Sequence, residues 1–286
     1  MDWTLLYLIY CVMCGRYAVV SKVKTIEKKF GVDVDNVEIK PNTNVSIGEL
    51  APVIASDNPG AIQLFQFGFT PSWAQKQSYV INARAEGDYN KDNNTAYSGS
   101  KGIISKPMFR KAIRSQRCLV IADCFIEGPT NERLNKPYVI YPINEKGPFA
   151  FAGIWDTWVD EVNDQEVKSF AIITAVSNSI TQMIKHHRSP VILDESTYED
   201  WVNPDLPLAD ATSLLKPYPG ELLNAYPVSK SIKSPKVNGV ELLEPIGERL
   251  YPEYKYSIYE ELSMHGMGEL RARDRKNNEG IQGSLF

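Results

Sequence analysis

Short apolar runs with the composition of β-strands recur along most of this 286-residue chain, and they constrain its fold more than any other feature. The runs are rich in Val, Ile, Phe and Tyr, and clusters of Gly, Pro, Asn and Asp separate them. Helical periodicity is confined to a few short stretches. The pattern predicts an α+β domain built on a strongly curved, mostly antiparallel β-sheet with flanking helices. The predicted strands are residues 15–20, 52–55, 62–67, 117–122, 138–143, 149–154 and 170–175.

The helical stretches lie between these strands. Residues 22–30 form a helical pattern, with Ser21 as its predicted N-cap and Gly31 as its end. Residues 87–106 are rich in Asn, Asp, Ser and Gly, which predicts a long mobile loop. Further helices are predicted near residues 108–115, 179–185, 195–202 and 208–215.

Changes in composition divide the chain into three parts. Residues 13–250 form the predicted main domain, and residues 1–12 precede it as an extension or propeptide. Residues 251–286 are expected to contain a last helix, near 256–264, and a flexible polar tail. We therefore expect one domain with two terminal segments.

Charge and cysteine content limit the classes of function. The formal net charge of −4 argues against a protein that coats nucleic acid through bulk electrostatics, but it allows a local basic groove. Nothing in the spacing of the four cysteines indicates a disulfide framework, so they favour a reducing, cytoplasmic setting. Cys11 and Cys14 have the spacing of half a zinc site. No second pair completes it, so we expect neither a metal nor another cofactor.

Residues 1–12 are apolar but too short to span a bilayer, and they lack the basic residues that begin a signal peptide. We expect no membrane association. Three explanations stay open: translation starts at Met13, the protein removes the segment as a propeptide, or the segment forms a buried N-terminal strand. The third would block the amine of Cys14.

Cys14 directly follows Met13, so removal of the preceding residues leaves a cysteine at the N-terminus. Such a residue carries an amine and a thiol on adjacent carbons, and both are available at cellular pH. The pair can close on an aldehyde to form a five-membered thiazolidine ring. Gly15 lets this terminus approach another backbone or a ligand closely.

Three later segments supply candidate partners for the terminal cysteine. Asn82 and Arg84 follow a strand-like run, and the period of two places both side chains on one face. The amide can orient an aldehyde, and the guanidinium can bind a phosphate. Glu127 ends an apolar strand, where partial burial suits a carboxylate to proton transfer. In the pair His186 and His187, one ring offers a side chain that titrates near neutral pH.

Together, the segments 13–17, 82–84, 123–127 and 186–190 resemble the SOS response-associated peptidase family, also described as abasic-site crosslinking proteins. The resemblance covers roughly residues 13–243. It implies that the curved sheet closes into a barrel-like body with helices at its rim.

The resemblance also implies roles for single residues. Glu127 stands at the position of the family's catalytic glutamate. His186 lies four residues before Pro190, as in an H-x-R-x-P motif, and Arg188 is then the motif arginine. The chain departs from the family at Phe67, Phe69, Cys124, Gly128 and His187, where Trp, Leu, Gly, Trp and Asp are usual.

Basic and aromatic residues near these motifs predict contacts with DNA. Arg16, Arg84 and Arg188 form a predicted phosphate track, and Trp73 is placed to stack on an unpaired base. Phe67 and Phe69 are interpreted as core residues. Further candidates for the track are Arg110, Arg114 and Arg117.

The predicted function is therefore the processing of abasic sites in single-stranded DNA. The Cys14 amine and thiol would capture the sugar aldehyde, Glu127 and His186 would move protons, and Asn82 would orient the intermediate. Partition of the imine to strand cleavage would give a weak lyase activity. The alternatives are a cysteine peptidase that acts mainly on its own leader, and a catalytically silent binder of single-stranded DNA. We expect a monomer.

The last five residues suggest a further partner. Gln282, Leu285 and Phe286 belong to a segment that resembles the Gln-x-Ser/Asp-Leu-Phe peptide with which bacterial replication proteins bind the sliding clamp. An accessible tail that presents Leu and Phe to an apolar pocket is a sound recognition mode. Clamp binding is therefore a separate hypothesis.

Overall fold

The strands and helices of the protein come from a computed structural model that describes residues 15–34, 37–143 and 147–252. Residues 1–14, the predicted helix near 256–264 and the tail lie outside the described residues. The strands are β1 (Tyr17–Val19), β2 (Asn42–Val45), β3 (Leu50–Ala55), β4 (Asn58–Phe67), β5 (Asn82–Arg84), β6 (Arg117–Ala122), β7 (Cys124–Glu127), β8 (Tyr138–Pro142), β9 (Phe149–Asp160), β10 (Gln165–Val176), β11 (Arg188–Pro190) and β12 (Leu223–Pro227).

Five strands close into a barrel in the order β10-β4-β3-β6-β9, because β9 pairs with both β6 and β10. All neighbouring pairs in the barrel are antiparallel except β4 and β10. Aromatic side chains fill it, and Phe67 and Phe69 are fully buried in the core, as predicted. The expectation of a curved, mostly antiparallel sheet that closes into a barrel is confirmed.

A second, antiparallel sheet has the order β12-β8-β7-β1-β2. Its strands separate two apolar cores, since alternate side chains of a strand face opposite sides. Tyr17 and Val19 of β1 pack into the main core, whereas Ala18 packs into the second one. Burial on both faces explains why β1 reads as a continuous apolar run.

Short helices lie around the two sheets. Gly31, with φ of 65°, ends the first helix as predicted, because glycine adopts this left-handed conformation without strain. The predicted cap is wrong: Lys22 is the N-cap residue, and Ser21 instead donates its hydroxyl and its backbone N–H to the Asp123 carboxylate. The helices are α1 (Val23–Phe30), α2 (Ala112–Ser115), α3 (Ser179–Met183), α4 (Tyr198–Val202) and α5 (Leu208–Ser213).

Residues 87–106 contain no strand and only a short 3-10 helix, Gly102–Ile104. Parts of the segment contact the rest of the protein. Ile103 donates its N–H to the Ala85 carbonyl over 3.2 Å, and Asn90 is buried. In the described ranges, no helix is both long enough and apolar enough to cross a membrane.

Candidate active site

A three-stranded patch brings together two of the predicted segments. β5 pairs in parallel with the end of β10, and β11 pairs antiparallel with the other edge of the same strand. Arg84 lies opposite Thr174, and Val176 lies opposite Arg188. Side chains opposite each other in a sheet share a face, so Asn82, Arg84 and Arg188 lie on one face of this patch.

Asn82 is 5% exposed, and neither its amide oxygen nor its amide nitrogen has a hydrogen-bond partner among the described residues. Most buried polar side chains are hydrogen-bonded, because an unpaired amide costs roughly 1–3 kcal/mol. A ligand that enters this site would find both a donor and an acceptor ready.

Arg84 and Arg188 are held by the protein itself. Arg84 donates to the Asn90 carbonyl and, over 3.0 Å, to Asn93 Oδ1. Arg188 is fully buried, and its Nη2 lies 2.7 Å from Glu86 Oε2 and 2.8 Å from the Thr174 carbonyl. Its Nε and Nη1 have no hydrogen-bond partner among the described residues. Arg188 therefore lies beneath the surface, and its contact with phosphate stays a prediction.

Glu127 and His186 converge from the second sheet and from the turn after α3. Glu127 Oε2 lies 3.5 Å from His186 Nε2, and both side chains are almost completely buried. His186 Nδ1 lies 2.8 Å from the Gly128 carbonyl oxygen. A carbonyl can only accept, so Nδ1 carries hydrogen and Nε2 faces the glutamate. Glu127 Oε1 has no hydrogen-bond partner in the described ranges.

His187 and Arg133 line the same small cleft as Glu127 and His186. The two histidine rings stack with centroids 5.3 Å apart, and His187 Nδ1 lies 2.7 Å from Thr130 Oγ1. Burial, followed by the nearby positive groups, lowers the pKa of His187 to about 4. Both histidines therefore line the cleft, and so does Arg133, which no sequence motif marks.

The first described residues lead into this site. The Arg16 carbonyl accepts a hydrogen bond of 2.9 Å from the Ile126 N–H, one residue before Glu127. A Cβ on Gly15 would lie 3.1 Å from Ile81 Cδ1, one residue before Asn82. Gly15 is thus next to both candidate strands. Cys14 itself lies outside the described residues.

The remaining predicted DNA contacts differ in their surroundings. Trp73 is 61% exposed, which suits a stacking surface. Arg16 donates to the Lys233 carbonyl over 3.3 Å, and burial lowers its pKa. Arg117 is wrong as a phosphate contact, because it is fully buried and donates to the carbonyls of Trp201 and Ile113.

No group of three metal-ligating side chains occurs within residues 15–34, 37–143 and 147–252. Cys118 and Cys124 are free and buried, and burial raises the pKa of both thiols well above its usual value. Cys11 and Cys14, which have the spacing of half a zinc site, lie outside the described residues.

The sequence and the fold of the chain are similar to those of known proteins. The family described as SOS response associated peptidase (SRAP) matches residues 13–235. The match covers most of the chain, so the protein belongs to the SRAP family.

Curated relatives agree with this assignment. The chain is 30% identical over 239 residues to the abasic site processing protein YoqW of Bacillus subtilis, a match that covers 81% of this chain and 99% of that one. It is 28% identical over 200 residues to the abasic site processing protein HMCES of Gallus gallus, covering 63% of this chain and 56% of that one.

A crystal structure of a protein from Bacteroides thetaiotaomicron has the same fold. The two chains are 29% identical with a TM-score of 0.65, and the match covers 78% of this chain and 97% of the other.

Proposed function

We propose that the protein binds abasic sites in single-stranded DNA and captures them covalently through Cys14 as an N-terminal residue. Three observations support the proposal: the buried Asn82 amide has no hydrogen-bond partner among the described residues, Glu127 lies against His186, and Gly15 lies beside Ile81, one residue before Asn82. The names of the curated relatives say that those proteins process abasic sites, which supports the abasic site as the substrate.

The reaction would proceed in two steps. The amine of Cys14 attacks the C1′ aldehyde of the ring-opened sugar and expels water, which gives an imine. The thiol then adds across the C=N bond, so that sulfur bonds to C1′ and nitrogen takes a proton, closing the thiazolidine. Neither step needs a metal, a nucleotide or another cofactor.

The site residues have separate roles in this scheme. Glu127 carries protons to and from the attacking amine, and His186 assists opening of the sugar ring. Asn82 binds the sugar oxygen through its free donor and acceptor. Arg16, Arg84 and Arg188 hold flanking phosphates, and Trp73 stacks on a neighbouring base. The imine would in part undergo β-elimination instead of ring closure. This side reaction cleaves the DNA strand and would give a weak lyase activity.

Intact mass and a denaturing gel test the proposal. Purified protein should begin at Cys14 and form a denaturation-resistant adduct with a strand that holds one abasic site, but none with the intact strand. Cys14→Ser should yield only a reducible imine, which borohydride traps. A chain that keeps residues 1–13 and still forms the thiazolidine would contradict the scheme.

A second candidate, a peptidase that cleaves its own leader, is favoured by the start of the family match at residue 13, directly after the apolar segment. Cys14 would be the nucleophile and His186 the base. Cys14→Ala should then retain residues 1–12. If translation starts at Met13, the Cys14→Ala variant should instead have the mass of a chain that lacks residues 1–12.

Noncatalytic binding of single-stranded DNA is the remaining alternative. The adduct assay distinguishes it from covalent capture, because a noncatalytic binder holds abasic and intact strands equally and forms no adduct.

We also propose that residues 13–250 form the catalytic domain, that the protein is a monomer in the cytoplasm, and that it acts in the DNA damage (SOS) response.

The tail residues Gln282, Leu285 and Phe286 are proposed to bind the replication sliding clamp. Deletion of residues 282–286 should abolish binding to purified clamp and leave adduct formation unchanged. Unchanged clamp affinity would end this hypothesis.

A further inference from the structure

A groove of about 410 Å³ opens beside the candidate site, where β8 begins and β12 ends. A row of residues that pair across the second sheet connects the two places: Glu127 lies opposite Tyr138, and Tyr138 lies opposite Pro227. Neighbouring strands are about 4.8 Å apart, so the backbone of the groove wall lies about 5 Å from Glu127 at Tyr138 and about 10 Å away at Pro227, distances that a few nucleotides cover.

The groove has two kinds of wall. The apolar wall is lined by Pro137, Tyr138, Val228 and Ile246, of which Ile246 is the most exposed, at 67%. Lys136 and Lys230 provide positive charge. An apolar slot beside cations fits a nucleotide, which has a flat base and an anionic phosphate.

Further basic residues lie near the groove and near the cleft that contains Glu127 and His186. Lys233 donates to Asn135 in the groove wall over 2.9 Å, and its carbonyl accepts from Arg16 over 3.3 Å. Arg133 lines the cleft of Glu127 and His186, and Asn135 and Lys136, two and three residues further on, line the groove. Arg133, Lys136, Lys230 and Lys233 form a basic group in a chain of net charge −4, and Glu132 pairs with Lys136 alone.

We propose that this groove binds the nucleotides that flank the abasic site on one side, with Lys230 against a phosphate and Ile246 against a base. The proposal rests on the proposed function, because it extends the path of the same DNA strand. Lys230 is suited to this role, since it is exposed and forms no ion pair with any described residue.

The test uses strands with one abasic site and zero to five nucleotides on either side. Wild-type affinity should fall about five-fold or more when nucleotides on one side are removed, the value of one stacked base. The variant Lys230→Glu with Ile246→Ser should have the low affinity at every length. Lys230→Gln alone should reduce the slope of log K against log [salt] by about 0.7, as for one lost phosphate contact.

Controls separate the outcomes. Lys24→Glu, the same charge change on α1, should behave as wild type. At saturating DNA the double variant should form the adduct at the wild-type rate. No adduct with the wild-type protein overturns the proposed function. A normal adduct with identical length dependence in wild type and variant overturns the groove proposal. A changed oligomeric state with unchanged DNA affinity would assign the groove to a second copy of the chain and overturn it too.

Discussion

Glu127 Oε2 lies 3.5 Å from His186 Nε2, although Glu127 ends a strand of the second sheet and His186 precedes the short strand β11 beside the barrel. The contact therefore links the second sheet to the segment that leads into β11. The Gly128 carbonyl fixes the histidine ring from the other side, over 2.8 Å. An acid and a base held in this way can pass protons to a bound sugar.

Glu127→Gln should slow adduct formation by about 100-fold or more, because the amide keeps the shape of the side chain but cannot take up a proton. Affinity for abasic DNA should stay within about three-fold, since the residue is not among the phosphate contacts. Single-turnover adduct formation measures the first effect. Glu132→Gln removes an exposed carboxylate of the same turn and should react at the wild-type rate.

Asn82→Ala should abolish most adduct formation while leaving the free energy of unfolding almost unchanged. The buried amide has no partner to lose among the described residues, so its removal relieves a desolvation cost that offsets the lost packing. Asn44→Ala is the matched control, because Asn44 donates to the carbonyls of Ser234 and Val237. That change should cost about 1–3 kcal/mol in urea unfolding. Equal losses in both variants would contradict a ligand-binding role for Asn82.

The chemistry-bearing residues were easier to predict from the sequence than their surroundings. The strands β5 and β11 have only three residues each, and both contain polar side chains. Both strands are extended because they pair with β10, far away in the chain. The strand-like run before Asn82 indicated this for β5, but no local pattern indicated it for β11. β10 likewise runs through the polar residues at its start, because it forms a hairpin with β9.

Burial of Arg188 was also beyond local reasoning. Its partner Glu86 is 102 residues away and stands next to the motif that contains Asn82 and Arg84. The spacing of residues in the sequence motifs indicates which side chains carry chemistry. The position of the Arg188 guanidinium depends on its ion pair with Glu86, which forms only when the barrel is closed.

Glu86→Gln should destabilise the protein by about 3 kcal/mol, because it leaves the buried guanidinium of Arg188 without a countercharge. Affinity for abasic DNA should fall as well, since Glu86 holds Arg188 in place. Asp88→Asn breaks the exposed pair with Lys106 and should cost less than about 1 kcal/mol. Urea unfolding compares the two variants. Similar midpoints for both would contradict a structural role of the buried pair.

Gly128→Ala should impair both stability and adduct formation. A Cβ at this position would lie 1.9 Å from the Arg133 carbonyl oxygen, so the turn must move. Such overpacking typically costs about 1–3 kcal/mol. The Gly128 carbonyl, which holds His186, would move with it. Gly60→Ala is the control, since nothing lies within 4 Å of its Cβ. Wild-type adduct rates in Gly128→Ala would show that the turn does not position the histidine.

Stability should decrease as the pH falls from about 6.5 to about 4, because of His187. Its pKa is about 4 in the folded protein and 6.5 ordinarily, so within this window the unfolded chain binds a proton that the folded one does not. The neighbours that oppose its charge are His186, Arg188 and Arg84. His187 is only half-buried, so solvent screening reduces the loss to the order of 1 kcal/mol. Urea unfolding at pH 7.5 and at pH 5 should show a smaller difference for His187→Gln than for the wild type. Equal pH dependence in the two proteins would show that the ring is protonated as readily in the fold as in the unfolded chain.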